Sequence, residues 1–151
     1  RYVRSDTLES LDPLKNRVLS CLEGAAHACG CTMTAHWDDH PYADVRNNLA
    51  LVAAYEKNMH SLGRQPLDPA VSGRAVVGST DMGNVSYLMP AIHPMIKAAP
   101  DGIPIHTEEF AAAARDEMAD LAILDGAKAL AATVAARDEW SRIRPPSSLL
   151  G

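Results

Sequence analysis

The sequence predicts an α/β protein, and three features of its 151 residues carry this prediction. The first forty residues alternate between strand and helix patterns, and short apolar runs flank a glycine-containing turn at 78–84. From residue 107 the pattern is helical and rich in alanine. Because only one Phe, two Trp and four Tyr are present, close-packed helices are favoured over an aromatic-rich β-sandwich.

The N-terminal segment predicts a strand, a helix and a second strand. Arg1–Arg4 has the pattern of a strand end. Asp12 and Pro13 form a favourable N-cap and first-turn pair, and Gly30 fits the helix end. Apolar and polar residues alternate over Cys31–Trp37, which is the period of a half-buried strand. A right-handed crossover would make the two strands parallel if they are neighbours in one sheet.

A second helix and a linker are predicted next. Asn47 or Asn48 can cap the helix, and Gly63 can end it. The polar segment Gln65–Gly73 contains proline and is the best linker candidate. Short apolar runs then lie on either side of the turn: Val76–Val77 and Val85–Met89.

The C-terminal part predicts a long helical run. It begins at Thr107 or Glu108 and extends to about Trp140. A run of this length is expected to break near residues 115–116 or to bend at Gly126.

Composition limits the compartment and the partners. A formal charge of −5, without a Lys/Arg block interleaved with aromatic residues, argues against nucleic acid. No apolar run approaches the ~20 residues that cross a bilayer, so no membrane contact is expected. An odd number of cysteines in one short segment indicates a reducing, cytoplasmic location. We expect all three to be small buried core residues: Cys21, Cys29 and Cys31.

Two polar side chains lie at the ends of otherwise apolar elements. His106 precedes a helix start, where backbone groups can aim one imidazole nitrogen at a metal ion. Spacing alone favours a structural loop histidine there. Asp81 lies in the turn STDMGN, where it either supports local N–H groups as an Asx-turn or orients a metal-binding histidine. Spacing alone favours the Asx-turn.

Other constellations do not make a site. His36 and His40 would lie on a strand, where residues four apart are ~13 Å distant and cannot share an ion. Neither the G-x-S-x-G elbow nor the G-x-x-x-x-G-K-[ST] phosphate loop is present. The residues taken by themselves therefore predict no complete active site.

The block 78–110 contains the segments GSTDMGNVSYLMPAIHP and HTEEF. With these two segments it resembles the C-terminal portion of the zinc amidohydrolase and aminoacylase family, peptidase family M-twenty. Similarity extends upstream through YVRS, EGAAHACGC, YADVRNN and NMHSLG, and downstream through AKALAATVAA. The nearest branch contains aminobenzoyl-glutamate hydrolase subunits and M-twenty domain-containing dipeptidases.

The resemblance implies two parts. Residues 1–47 would be the second half of a ferredoxin-like α/β lid that dimerises, and residues 48–151 the C-terminal part of an α/β catalytic domain. His106 takes the role of a ligand to zinc or another divalent metal. Asp81 and Asn84, on either side of Gly83, would shape the site around that ligand. Arg4 would pair with a substrate carboxylate or be a solvated charge at a strand end.

The resemblance further implies metal-dependent hydrolysis of an N-acyl amino acid or a dipeptide-like amide. Such chemistry needs three protein ligands, a metal-bound water and a general base, which the family supplies from an N-terminal half not matched here. We expect the chain, which starts at Arg1 within a predicted strand, to be a trimmed piece and inactive alone. A homodimer or the missing half would then be its partner. The alternative is a non-catalytic dimerisation or assembly fragment.

Overall fold

The computed structural model describes residues 2–67 and 78–136. Five helices follow one another in this part of the chain: α1 Leu8–Ala28, α2 Leu49–Ser61, α3 Met82–Leu88, α4 Glu108–Ala113 and α5 Glu117–Ala135. Within these ranges there is no strand, and an isolated parallel bridge joins Asn47 and Ala91. The described chain is mostly helical. None of its helices is long and apolar enough to span a bilayer.

The predicted strands are not formed in the described residues, so the α/β class is not confirmed there. Residues 2–4 and 31–37 have no regular secondary structure, and most of their side chains are exposed. Alternation shows which side chains could share a face, but a strand also needs a neighbour that pairs with its backbone. The run Val76–Val77 lies outside the described residues, and Val85–Met89 lies largely within α3.

α1 begins earlier than the sequence predicted. The Thr7 side-chain oxygen accepts the N–H of Ser10 (3.2 Å), and the Ser10 hydroxyl accepts the N–H of Thr7 (3.3 Å). This reciprocal pair satisfies two backbone donors, as a capping box does. The start predicted at Asp12 and Pro13 is therefore wrong, and Pro13 lies inside the helix. The predicted end is confirmed, since Gly30 follows the last turn with φ 66°.

The cysteines are exposed and free, so their predicted burial is wrong. Two lie in or beside α1, which has no buried residue along its length. The apolar spacing of α1 predicted a helix correctly. Burial needs a covering neighbour, which periodicity cannot supply.

Both predicted boundaries of α2 and the predicted break in the C-terminal helical run agree with the structure, whereas α3 was not predicted as a helix. Asn48 Oδ1 accepts the N–H of Leu51 (3.2 Å) and caps α2, and Gly63 follows its last turn with φ 76°. The long helical run breaks at residues 114–116 between α4 and α5, as one of the two alternatives predicted. α5 continues through Gly126. The end predicted near Trp140 lies outside the described residues.

The core lies between α2 and α5. Tyr55 and Met59 of α2 pack with Ala129 of α5, which is completely buried. Partly buried apolar side chains surround them: Leu62, Ile92 and Ile96. A small residue at the centre of the contact allows two helices to approach closely.

Polar contacts connect the same two helices. Arg64, just after α2, donates from Nε to Asp125 Oδ2 of α5 (2.8 Å), and its Nη1 donates to the carbonyl of Lys97 (3.2 Å). Asn58 Nδ2 donates to Thr133 Oγ1 (3.0 Å). These contacts fix the register of α2 on α5.

Replacing Met59 by alanine is expected to lower the free energy of unfolding by about 2 kcal/mol, because it opens a cavity in the α2–α5 core. Met59 is 5% exposed, whereas Met95 is 60% exposed. Met95→Ala is therefore the matched control and should change stability by less than about 0.5 kcal/mol. Urea unfolding of both variants measures the difference, and equal effects would contradict this core.

Replacing Gly126 by alanine is expected to stabilise the protein. Glycine in a helix interior costs about 1 kcal/mol relative to alanine. A Cβ at this position would lie 3.7 Å from Ile96 Cδ1, an ordinary van der Waals distance. Thermal unfolding should therefore show a higher Tm for the variant, and a lower Tm would mean that α5 is packed more tightly at Gly126 than the structure shows.

Candidate functional site

The helix α3 lies against the junction segment, residues 41–48, which leads into α2. Gly83 of α3 and Ala43 of the junction segment are both buried. A Cβ placed on Gly83 would overlap the backbone carbonyl of Ala43. Glycine is needed at this position because two stretches of backbone approach each other too closely for any side chain.

Two side chains of α3 hydrogen-bond to the backbone of the junction segment. Asn84 Oδ1 accepts the N–H of Ala43 (3.2 Å), and its Nδ2 donates to the carbonyl of Pro41 (3.1 Å). The buried Ser86 Oγ accepts the N–H of Arg46 (2.9 Å) and donates to the carbonyl of Gly83 (2.6 Å). Asn84, which belongs to the block 78–110, thus supports the backbone of the junction segment.

Asp44 of the junction segment contacts two helices at once. Its Oδ1 accepts the N–H of Leu8 at the start of α1 (3.0 Å) and the hydroxyl of Tyr87 in α3 (2.7 Å). The guanidinium carbon of Arg46 lies 3.6 Å from the centroid of the Tyr87 ring. Sequence reasoning missed these residues. The spacing of Asp44 and Arg46 could have indicated that they act together, because residues two apart share a face in extended backbone.

The electrostatics of this contact favour a charged Asp44 and a neutral Tyr87. Burial raises the pKa of Asp44, but the hydrogen bonds from Tyr87 and Leu8 and the charge of Arg46 outweigh it and leave the pKa below its usual value. Burial raises the pKa of Tyr87, and its hydrogen bond to Asp44 raises it further. The Tyr87 hydroxyl therefore keeps its proton and acts as a donor.

Asp81 lies immediately before α3 and is exposed. Its backbone is helical, and its carboxylate makes no capping hydrogen bond, so the predicted Asx-turn is wrong. Thr80 takes that role instead, since its Oγ1 accepts the N–H of Met82 (3.3 Å). The Asp81 carboxylate lies 3.5 Å from the same Thr80 hydroxyl and is otherwise directed to solvent.

His106 is exposed and has φ 66°, the one positive value among non-glycine residues that the structure describes. Thr107 follows and caps α4, because its Oγ1 accepts the N–H of Phe110 (3.2 Å) and donates to the carbonyl of Pro104 (2.9 Å). A left-handed backbone costs about 1–2 kcal/mol outside glycine, and such strain is common at functional sites. The cap holds the His106 backbone in place.

The described residues do not bring the predicted site together. No hydrogen bond or ion pair links His106 to Asp81 or Asn84 in this part of the chain. Arg4 is exposed, with its guanidinium carbon 5.7 Å from the centroid of the Tyr2 ring. Across residues 2–67 and 78–136, no group of three or more His, Cys, Asp or Glu side chains could hold a metal ion. These residues alone therefore do not fit a complete metal centre.

Comparison with curated proteins supports a relationship to dipeptidases of the M-twenty type. The chain is 36% identical over 132 residues to the Xaa-Arg dipeptidase of Mus musculus and 35% identical over 132 residues to the Xaa-Arg dipeptidase of Homo sapiens. Each alignment covers 87% of this chain and 30% of the relative, so the chain spans about 30% of the length of either relative. No family model matches the chain.

Proposed function

We propose that this chain is the C-terminal part of a metal-dependent dipeptidase. The observation that carries the proposal is the 36% identity over 132 residues to a dipeptidase. The alignment leaves fewer residues of this chain unmatched than the block 78–110 contains. It therefore includes at least part of this block, which holds Asp81 and His106. Residues 1–47 would then be the second half of a lid, and residues 48–151 would complete the catalytic domain.

The relatives favour a dipeptide as the substrate. Both are Xaa-Arg dipeptidases, so we propose a dipeptide with arginine in second position for the protein that contains this chain. An N-acyl amino acid remains the alternative. Arg4, which is exposed on the proposed lid, would pair with the substrate carboxylate.

His106 is the proposed ligand to zinc or another divalent metal. Its imidazole is exposed, and its backbone conformation is set by the cap that follows. The metal would polarise the scissile carbonyl and activate a water. Because the described residues do not complete a metal centre, the other ligands and the general base must come from further residues. We therefore propose that the 151-residue chain is inactive alone.

The exposed apolar surface of α5 supports a partner. Ile123, Leu130 and Val134 are 69%, 48% and 63% exposed and share one side of the helix, whereas the neighbouring side, which includes Ala129, packs in the core. A helix that is apolar on several sides normally has a second neighbour. We propose a homodimer or a missing N-terminal half as that neighbour. The same surface favours the second candidate function, a non-catalytic fragment that acts in assembly.

We also propose a reducing, cytoplasmic location. The three cysteines are exposed and unpaired in the structure. Exposed thiols stay reduced in compartments where disulfides do not form, such as the cytoplasm.

The intact mass of the native gene product tests the proposed function. A mass more than twice the 16.2 kDa of this chain, together with zinc-dependent hydrolysis of alanyl-arginine, supports the dipeptidase. A mass near 16.2 kDa without hydrolysis supports the assembly function instead. The isolated chain with added zinc is the control and should show no turnover. Hydrolysis by that control would overturn the proposed inactivity.

A further inference from the structure

We propose that Asp44 is a positioning residue that holds the start of α1 against α3 through one carboxylate oxygen. Oδ1 accepts a backbone N–H from Leu8 and a hydroxyl from Tyr87, residues that lie 36 and 43 positions away along the chain. Removing this oxygen would break both bonds together. The inference concerns the geometry of the chain and stands whether or not the protein is a hydrolase.

The link at α1 is chemically well matched. Leu8 is the first residue of α1, and its N–H has no partner within the helix. A carboxylate is favoured at this end because the helix dipole is positive there. Since α1 has no buried residue, few packing contacts fix its direction. A single hydrogen bond can therefore determine much of the orientation of α1.

The link at α3 is rigid. Tyr87 lies beneath the Arg46 guanidinium, and α3 is fixed to the junction segment by the Ser86 and Asn84 hydrogen bonds. Close contact between Gly83 and the junction backbone restricts it further. Asp44 thus connects a loosely packed helix to a firmly held one. The direction of α1 therefore depends on the position of α3, which begins next to Asp81.

The charge of Asp44 makes the connection dependent on pH. The groups that act on its carboxylate are the Tyr87 hydroxyl from α3, the Leu8 N–H from α1, Arg46 from the junction segment and its own backbone N–H. These lower its pKa despite burial. A lowered pKa gives stability that is present above the unfolded value of about 3.9 and is lost as pH falls through the folded value. Acid should therefore release the start of α1.

Amide NMR of the ¹⁵N-labelled 151-residue chain tests this inference. The Leu8 amide proton is hydrogen-bonded to the Asp44 carboxylate. Its chemical shift should change with pH, with a midpoint below the usual pKa of an aspartate. Asp44→Asn should abolish this titration while it keeps an acceptor oxygen and most of the protection of Leu8. Asp44→Ala should lower the exchange protection of Leu8 by about tenfold or more. The amides of Tyr55 and Met59 in the core should keep theirs.

The controls separate a positioning role from a general loss of structure. Asp12→Asn changes a carboxylate that lies in α1 itself and is 83% exposed, and it should leave the Leu8 shift and protection unchanged. Tyr87→Phe should move the midpoint of Asp44 upward, because it removes one donor. If Asp44→Ala unfolds the core, the pH titration of the Leu8 chemical shift in Asp44→Asn is the measurement that tests the inference. A Leu8 titration that persists in Asp44→Asn, or unchanged Leu8 protection in folded Asp44→Ala, would overturn the inference.

Discussion

Replacing Gly83 by alanine is expected to lower the free energy of unfolding by about 3 kcal/mol or more. The added Cβ would occupy the position of the Ala43 carbonyl, so one of the two backbones must move. Overpacking costs about 1–3 kcal/mol when side chains can adjust, and more when the obstacle is backbone. Alanine would gain about 1 kcal/mol of helix propensity inside α3, which is too little to reverse the sign.

Gly78→Ala is the matched control for this prediction. It lies in the same block, and a Cβ there would meet no atom within 4 Å. Urea unfolding should therefore separate the two variants, and the amide shifts of the junction segment should change in Gly83→Ala alone. Equal stability of both variants would show that α3 and the junction segment do not touch as described.

Replacing His106 by alanine is expected to lower kcat/KM for alanyl-arginine by more than about 100-fold in the native gene product. Loss of a residue that merely orients a metal ligand already costs about 10–100-fold, so loss of His106, the proposed ligand, should cost more. Zinc content should fall together with activity, because the ligand set would be incomplete. Metal analysis and steady-state kinetics of the same preparation measure both effects.

His36→Ala controls for the loss of an exposed histidine. His36 lies in the segment 31–37, which forms no regular structure, and its replacement should leave both zinc content and kcat/KM unchanged. A His106→Ala variant that keeps full zinc and full activity would remove His106 from the metal site. It would leave the relationship to dipeptidases intact, because that rests on sequence identity.

Local chemistry accounts for the features that could be predicted from the sequence. Asn48 and Gly63 set the ends of α2 through one side chain and one backbone conformation. The start of α1 was misplaced because two capping signals compete, and the pair Thr7–Ser10 forms in place of the one at Asp12. Each of these features depends on residues within a few positions of one another.

The candidate site likewise has features that could be predicted from the sequence and features that could not. The STDMGN and HTEEF segments could be singled out from the sequence, but the contacts made by Gly83 and Asn84 could not. Their partners lie about forty positions earlier in the chain, and no local pattern encodes that pairing. The role of Thr80 in place of Asp81 depended on a helix that the apolar spacing did not predict.

The sequence by itself determined the end of α1, both ends of α2 and the starts of α4 and α5, because caps, glycines and breaks act over short distances. Only the tertiary structure decided that residues 31–37 lack a paired strand, that the cysteines are exposed and that Asp44 connects α1 to α3. Pairing, burial and shared hydrogen bonds require two distant segments to meet. Their free energy depends on the approach of both segments, which the periodicity of either one does not contain.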